Sequence, residues 1–186
     1  MSVAIQPGDI RPSDEAQRFP MTWEEYLEAD VVPSEYYEGA LVVAAQPSQR
    51  HQNIEFRLQM ILHQHVAPGT QVTRGWGWIP SGVREEVGPD LMVHDVTDEQ
   101  RALSGTPHLI VEIVSTNRAR DMIAKVQRYA AWGAPCYWIV DPRDHEVVTM
   151  DLVDGIYVQT ARFTSGQATL RYGEVEVPVD VDALLA

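Results

Sequence analysis

Two residues in this sequence are best suited to chemistry: a glutamate inside an apolar run and a solitary lysine that follows it. Glu112 lies in the run from Leu109 to Val114, where a carboxylate is costly to bury unless a partner compensates it. Lys125 is the one lysine of the chain; the other 13 of its 14 basic residues are arginines. Asp121 precedes Lys125 by four residues. An ammonium, rather than a guanidinium, is therefore the candidate cation of a site.

The elements around these residues form a recognisable unit. Apolar runs predict strands at 109–114 and 136–140, and helical spacing predicts a helix at about 118–132 between them. Gly133 stands where a helix ends on glycine, and Pro135 prevents its continuation. Two strands joined by one helix predict a right-handed βαβ unit with parallel strands.

A second carboxylate precedes another predicted strand. Asp90 comes just before the run 91–94, which we expect to neighbour the strand 109–114. Two carboxylates from adjacent strands can share a hard divalent cation such as Mg²⁺. An ammonium beside that cation can orient a water molecule or stabilise charge on a phosphoryl transition state. Lys125 and Asp121 share one helix face that can lie over Glu112.

Each of these residues also has an ordinary structural interpretation. Asp90 follows a proline and could be a turn residue, and Glu112 could face solvent from an edge strand. Asp121 and Lys125 could be a surface pair that contributes a few tenths of a kcal/mol. Because Asp90, a strand glutamate and a helix lysine occur in that order, we favour a site over an ion network.

Composition narrows the class of protein. The 186 residues predict one domain with a sizeable core, and the single cysteine, Cys136, indicates a reducing compartment. No apolar run reaches a membrane span and no signal peptide is evident, so we expect a cytoplasmic protein without membrane contact. The net charge of −13 argues against broad electrostatic binding to nucleic acid, although a local arginine patch could still serve.

The N-terminal part predicts an extension to the core. Residues 1–20 lack periodicity and predict a flexible arm, which leaves 21–186 as the folded domain. Thr22 and Glu25 form a capping-box pattern that opens a short helix. Glu38-Gly39 predicts a β-hairpin.

Between the extension and Asp90 we predict a long helix and a second hairpin. Apolar spacing predicts the helix at about 49–66, and Pro80-Ser81-Gly82 predicts a turn between strands 71–79 and 82–87. We also predict a short helix near 99–103.

These residues together resemble a known family. The motifs are Pro89-Asp90, Val111-Glu112-Ile113-Val114-Ser115, Asp121-Met122-Ile123-Ala124-Lys125 and Tyr137-Trp138-Ile139-Val140-Asp141-Pro142. They resemble the PD-(D/E)XK nuclease superfamily, and in particular its subgroup of small bacterial proteins assigned as restriction endonucleases, over about residues 22–162. The resemblance implies an α/β fold with a restriction-endonuclease-like core: a mixed central sheet flanked by helices, with an N-terminal helix and β-hairpin. It also implies phosphodiester hydrolysis with Mg²⁺, for which Mn²⁺ could substitute, and a homodimer.

The resemblance assigns roles residue by residue. Asp90 and Glu112 match the metal-binding acids, the carbonyl of Ile113 matches a backbone metal ligand, and Glu35 matches an upstream glutamate that joins the metal site. The usual superfamily lysine would stand at 114, but the subgroup carries it on the following helix, where Lys125 matches it.

The remaining assignments are supporting ones. His51 matches a histidine that approaches substrate phosphate, and we expect Asp121 to position Lys125. Arg118, Arg120 and Arg128 flank the site and are candidates for phosphate contacts, although a solvated helix face would also explain them.

Two departures separate the chain from the subgroup's pattern. An Asp-Gly-Glu turn reads Glu38-Gly39-Ala40 here, and the segment Ser115-Thr116-Asn117 is one residue shorter than usual. The shortening lies between Glu112 and Lys125, so it bears directly on whether the lysine reaches the site.

The preferred hypothesis is a Mg²⁺-dependent endonuclease acting on DNA. A binding or assembly module that keeps the nuclease fold without turnover is the alternative, motivated by the acidic charge and the short segment. A nuclease for RNA or for a small phosphodiester is the third hypothesis.

Overall fold

The structure is a computed structural model that describes residues 16–29, 31, 33–115 and 119–186, with the backbone alone at 119–121. In chain order its elements are β1 (Gln17–Pro20), α1 (Trp23–Glu28), β2 (Glu35–Tyr37), β3 (Ala40–Val43), α2 (Gln49–His63), β4 (Thr70–Arg74), β5 (Gly77–Trp78), β6 (Leu91–Asp95), β7 (Ala102–Leu103), β8 (Leu109–Ile113), α3 (Ala119–Ala131), β9 (Cys136–Asp141), β10 (Glu146–Val153), β11 (Ile156–Phe163), β12 (Gln167–Tyr172), β13 (Val175–Asp180) and α4 (Val181–Leu185).

A mixed six-stranded sheet forms the centre of the fold, with the strand order β11-β10-β9-β8-β6-β4. Strands β8 and β9 are parallel and α3 joins them, whereas the other neighbouring pairs are antiparallel. The predicted βαβ unit is therefore confirmed. Gly133, at φ 79°, follows α3 in the left-handed conformation that ends many helices, and the Ala134 amide donates to the Tyr129 carbonyl.

Strand alternation divides the core between the two faces of the sheet. On one face Val111 and Trp138 pack with Leu58 of α2 and Leu170 of β12. On the other face Ile110, Tyr137 and Met92 pack with Tyr129 of α3 and with Trp78. Helix α3 therefore covers the face toward which Glu112 points, because Glu112 has the same parity as Ile110.

The predicted N-terminal helix and hairpin are present, and the hairpin strands form a separate small sheet with β1, in the order β1-β3-β2. Thr22 and Glu25 make the reciprocal capping box of α1. Residues 17–20 were predicted to belong to a flexible arm, but they form β1, which pairs with β3. Residues 1–15 of that predicted arm lie outside the described residues. Tyr36 and Glu86 exchange backbone hydrogen bonds of 2.7 and 2.8 Å, which ties β2 to the segment that leads into Asp90.

The predicted hairpin between 71–79 and 82–87 is wrong. Val83 donates to the Pro80 carbonyl, so the turn forms, but the flanking residues share only one antiparallel bridge, between Trp78 and Val87. Gly75, at φ 54°, follows the last residue of β4 and interrupts the predicted strand 71–79. As a result β4 pairs with β6, and β5 pairs in parallel with β7. The expected helix near 99–103 is also absent, because β7 occupies its end.

None of the helices that the structure describes combines the length and apolar character needed to cross a membrane.

A methyl group at Gly77 should destabilise the fold. It would overlap Glu86 Oε1 and lie 3.0 Å from Ala102 Cβ, and Glu86 is buried and held by Arg101 at 3.0 Å. We expect Gly77→Ala to lower the free energy of unfolding by about 1–3 kcal/mol, measured by urea denaturation. Gly105→Ala is the control, since its new methyl would make only an ordinary 3.7 Å contact with Leu103. Equal midpoints for the two variants would contradict the expectation.

Candidate active site at one end of the central sheet

Glu112 is a buried carboxylate that is met by a buried ammonium. Glu112 and Lys125 are 2 % and 3 % exposed, respectively. Lys125 Nζ donates to both carboxylate oxygens of Glu112, at 2.9 and 3.0 Å. The helix-borne lysine therefore reaches the strand-borne glutamate, and the short segment at 115–117 does not turn it away. Its residues 116 and 117 lie outside the described part of the chain.

Tyr129 is a third member of this cluster, and sequence reasoning missed it. Its hydroxyl donates to Glu112 Oε1 at 2.7 Å, and the residue is fully buried. Tyr129 follows Lys125 by four residues, so both side chains leave the same face of α3. That spacing was the signal in the sequence that could have found it.

Asp90 is fixed beside Glu112 through the backbone. Its Oδ2 accepts a 2.7 Å hydrogen bond from the Ile113 amide, and Leu91 pairs with Val111 in the antiparallel β6–β8 ladder. His51, near the start of α2, has its Nε2 atom 3.2 Å from the same Asp90 oxygen. The structure thus brings Asp90, Ile113 and His51 together next to Glu112.

Glu35 approaches from the N-terminal extension. Its Oε1 accepts a 2.9 Å hydrogen bond from the Gly88 amide and lies 3.7 Å from Lys125 Nζ. The bridge between Tyr36 and Glu86 holds β2 in this position. The predicted site residues Glu35, Asp90, Glu112 and Lys125 therefore converge although they come from distant parts of the chain.

The electrostatics of the site follow from its burial. The pKa of Glu112 is raised to about 7: burial is the main cause, Lys125 opposes the shift, and the neighbouring Asp90 adds to it. Burial alone would lower the pKa of Lys125, but the carboxylates of Glu112, Glu35 and Asp90 outweigh it and raise that pKa. Lys125 is thus a cation. The carboxylates around it outnumber it, so the site carries net negative charge when they are ionised.

Arg128 does not have the surroundings predicted for a phosphate contact. Its guanidinium lies 4.2 Å from the centre of the Tyr37 ring and 3.5 Å from a Glu85 oxygen, and only 10 % of its side chain is exposed. These contacts hold α3 against the N-terminal sheet, so a structural role explains them better. The side chains of Asp121 and Arg120, and all of Arg118, lie outside the described residues.

The arrangement offers oxygen donors rather than a preformed cage. In the part of the chain that the structure describes, no group of three or more His, Cys, Asp or Glu side chains is arranged to hold a metal ion. The candidate donors are the carboxylates of Asp90, Glu112 and Glu35, which are engaged by the amides, Lys125 and Tyr129 as described above.

A family model described as "Putative restriction endonuclease" (Uma2) matches residues 23–175. The chain belongs to this family. Membership supports a nuclease, and the matched range includes all members of the cluster around Glu112. No curated protein matches the sequence.

A solved structure has the same fold. It is the crystal structure of a protein described as a "putative nuclease" of DUF820 from Anabaena variabilis, with a TM-score of 0.70 and 17% sequence identity. The match covers 89% of this chain and 98% of that one. The predicted mixed α/β nuclease-like fold is thereby confirmed.

Removing only the cation of the buried pair should cost more than removing both charges. Lys125→Met leaves the carboxylate of Glu112 without its main partner, and we expect a loss of about 3–5 kcal/mol in the free energy of unfolding. The double variant Lys125→Met/Glu112→Gln has no buried charge at these positions, so it should be more stable than the single variant. Urea denaturation in EDTA compares them. A double variant less stable than Lys125→Met would contradict the pairing.

Proposed function

We propose that this chain is a Mg²⁺-dependent endonuclease that hydrolyses phosphodiester bonds in DNA. The observation that carries the proposal is the buried contact between Glu112 and Lys125 with Asp90 and Glu35 beside it. Buried charges that converge at one end of a sheet are costly to maintain, and such perturbed groups concentrate at functional sites. The family membership supports the same class of reaction.

The chemistry of the donor atoms, rather than a preformed cage, suits a hard divalent cation. Three carboxylates, those of Asp90, Glu112 and Glu35, surround the single ammonium of Lys125, so two negative charges are in excess when all three are ionised. Mg²⁺ prefers carboxylate and carbonyl oxygens, and Asp90, Glu112, Glu35 and the Ile113 carbonyl would hold it. When bound, Mg²⁺ would supply Lewis acidity and lower the pKa of a coordinated water.

Lys125 would act as a fixed positive charge rather than as a base. Its pKa is raised by the surrounding carboxylates, so it keeps its proton and can donate hydrogen bonds. An ammonium held in a water-poor site can stabilise the negative charge that develops on a phosphoryl group. Asp121, one turn earlier on α3, is proposed to position Lys125.

His51 is better suited to orienting Asp90 than to binding substrate. Its Nε2 atom is 3.2 Å from Asp90 Oδ2, and the residue is 8 % exposed. A side chain this buried has little surface left for a phosphate. Arg118 and Arg120 remain the proposed phosphate contacts, and the homodimer remains a prediction.

Plasmid cleavage with Mg²⁺ tests these roles. We expect Glu112→Gln and Lys125→Ala each to reduce the cleavage rate about 100-fold or more, because a fixed charge in a buried site contributes on that order. Gln127→Ala is the matched control, since Gln127 is exposed on the same helix. EDTA should abolish cleavage by the wild type. Unchanged activity in both site variants would contradict the catalytic roles of Glu112 and Lys125. Cleavage of RNA but not of DNA would show that the substrate is RNA rather than DNA.

A nuclease fold that binds or assembles without turnover is the second candidate. It is favoured by the absence, among the described residues, of a three-ligand metal group and by the net charge of −13. In that case neither Mg²⁺ nor Mn²⁺ would raise the melting temperature of the wild type. A metal-dependent rise that disappears in Glu112→Gln would instead favour the enzyme.

A further inference from the structure

Aromatic neighbours pack around the ring of Tyr129, and its hydroxyl donates a hydrogen bond to a single carboxylate oxygen. The ring centre lies 5.5 Å from that of Tyr137 in an edge-on contact and 6.0 Å from that of Trp78. These aromatic neighbours fix the ring inside the core on the α3 side of the sheet. The hydroxyl then reaches Glu112 Oε1 at 2.7 Å, a short distance that is typical of a hydrogen bond to a charged acceptor.

The hydrogen bonds to Glu112 are distributed unequally over its two oxygens. Among the described residues, Oε1 accepts from both Lys125 and Tyr129, whereas Oε2 accepts from Lys125 alone. An ionised carboxylate has about four lone-pair positions. The described residues use two of these positions on Oε1 and one on Oε2, so the position that they leave belongs to Oε2.

We propose that Tyr129 is a positioning residue of the nuclease site, which occupies Oε1 of Glu112 and thereby presents Oε2 to the divalent cation. The inference rests on the proposed function and adds a role that Lys125 cannot fill alone. A lysine that bonds both oxygens does not distinguish between them, but the tyrosine hydroxyl does. Groups that orient a metal ligand in this way typically change metal affinity or activity about 10–100-fold when they are removed.

Tyr157 supplies a matched control. Its hydroxyl donates to the Ala134 carbonyl at 2.7 Å, and its ring contacts Tyr137 at 5.4 Å between centroids. Tyr157→Phe therefore removes a hydroxyl hydrogen bond of the same length from the same aromatic cluster without touching Glu112. Any effect that is merely structural should appear in both variants.

The experiment is Mn²⁺ titration by calorimetry, without DNA, on the wild type, Tyr129→Phe and Tyr157→Phe. We expect Mn²⁺ to bind Tyr129→Phe about 10–100-fold more weakly than the wild type, and to bind Tyr157→Phe with unchanged affinity. Equal affinities for the wild type and Tyr129→Phe would overturn the inference while leaving the proposed function intact. Equal losses in the two variants would overturn it as well, because they would indicate a structural effect.

Cleavage kinetics give a second readout. Tyr129→Phe should require about 10–100-fold more Mg²⁺ for half-maximal activity, with an unchanged KM for DNA at saturating Mg²⁺. If the wild type neither binds Mn²⁺ nor cleaves DNA, the proposed function fails and the role of Tyr129 fails with it. If Tyr129→Phe melts near the assay temperature, the rise in melting temperature that Mn²⁺ induces is compared among the three proteins in the same buffer. An equal rise in all three overturns the inference.

Discussion

The buried ion pair between Glu112 and Lys125 is the interaction on which the arrangement of the site depends. Glu112 occupies a strand whose five residues are all buried, where an uncompensated carboxylate would cost several kcal/mol. Helix α3 compensates it by bringing Lys125 and Tyr129 over the same face of the sheet. The two contacts place the face of α3 that carries Lys125 and Tyr129 against the sheet, because both side chains leave the helix on that face.

The other carboxylates are fixed by the backbone rather than by side-chain partners alone. Asp90 accepts from the Ile113 amide, and Glu35 accepts from the Gly88 amide. Each is thus tied to a segment next to a sheet element, and their charges accumulate around Lys125. When these groups are ionised, three carboxylates exceed one ammonium, and this net negative charge would attract the proposed divalent cation. Burying these charged groups lowers the free energy of unfolding, and such costly clusters are common at functional sites.

Much of the core was predictable from the sequence because its signals are local. The apolar runs of β8 and β9, the helical spacing of α3 and the terminal glycine Gly133 together specify a βαβ unit, and the spacing from Glu112 to Lys125 then brings the two together. Strand partners were not predictable in the same way. The turn after Pro80 forms, but turn chemistry does not determine that β4 pairs with β6.

The role of a side chain was predictable only where its charge is unusual in the sequence around it, as for Glu112 in an apolar run and for the single lysine, Lys125. The four-residue spacing from Lys125 places Tyr129 on the same helix face, but an ordinary core aromatic residue has the same spacing, so the contact of its hydroxyl with Glu112 was not predictable. Arg128 was expected to bind phosphate because it lies near the site, but Glu85 and Tyr37, both distant in sequence, surround its guanidinium.

The most direct measurement of the central claim is an anomalous difference map from a crystal soaked in Mn²⁺. The account predicts a peak bound by Asp90 and Glu112, and a soaked crystal with Mn²⁺ at other positions but none between these two carboxylates would contradict it.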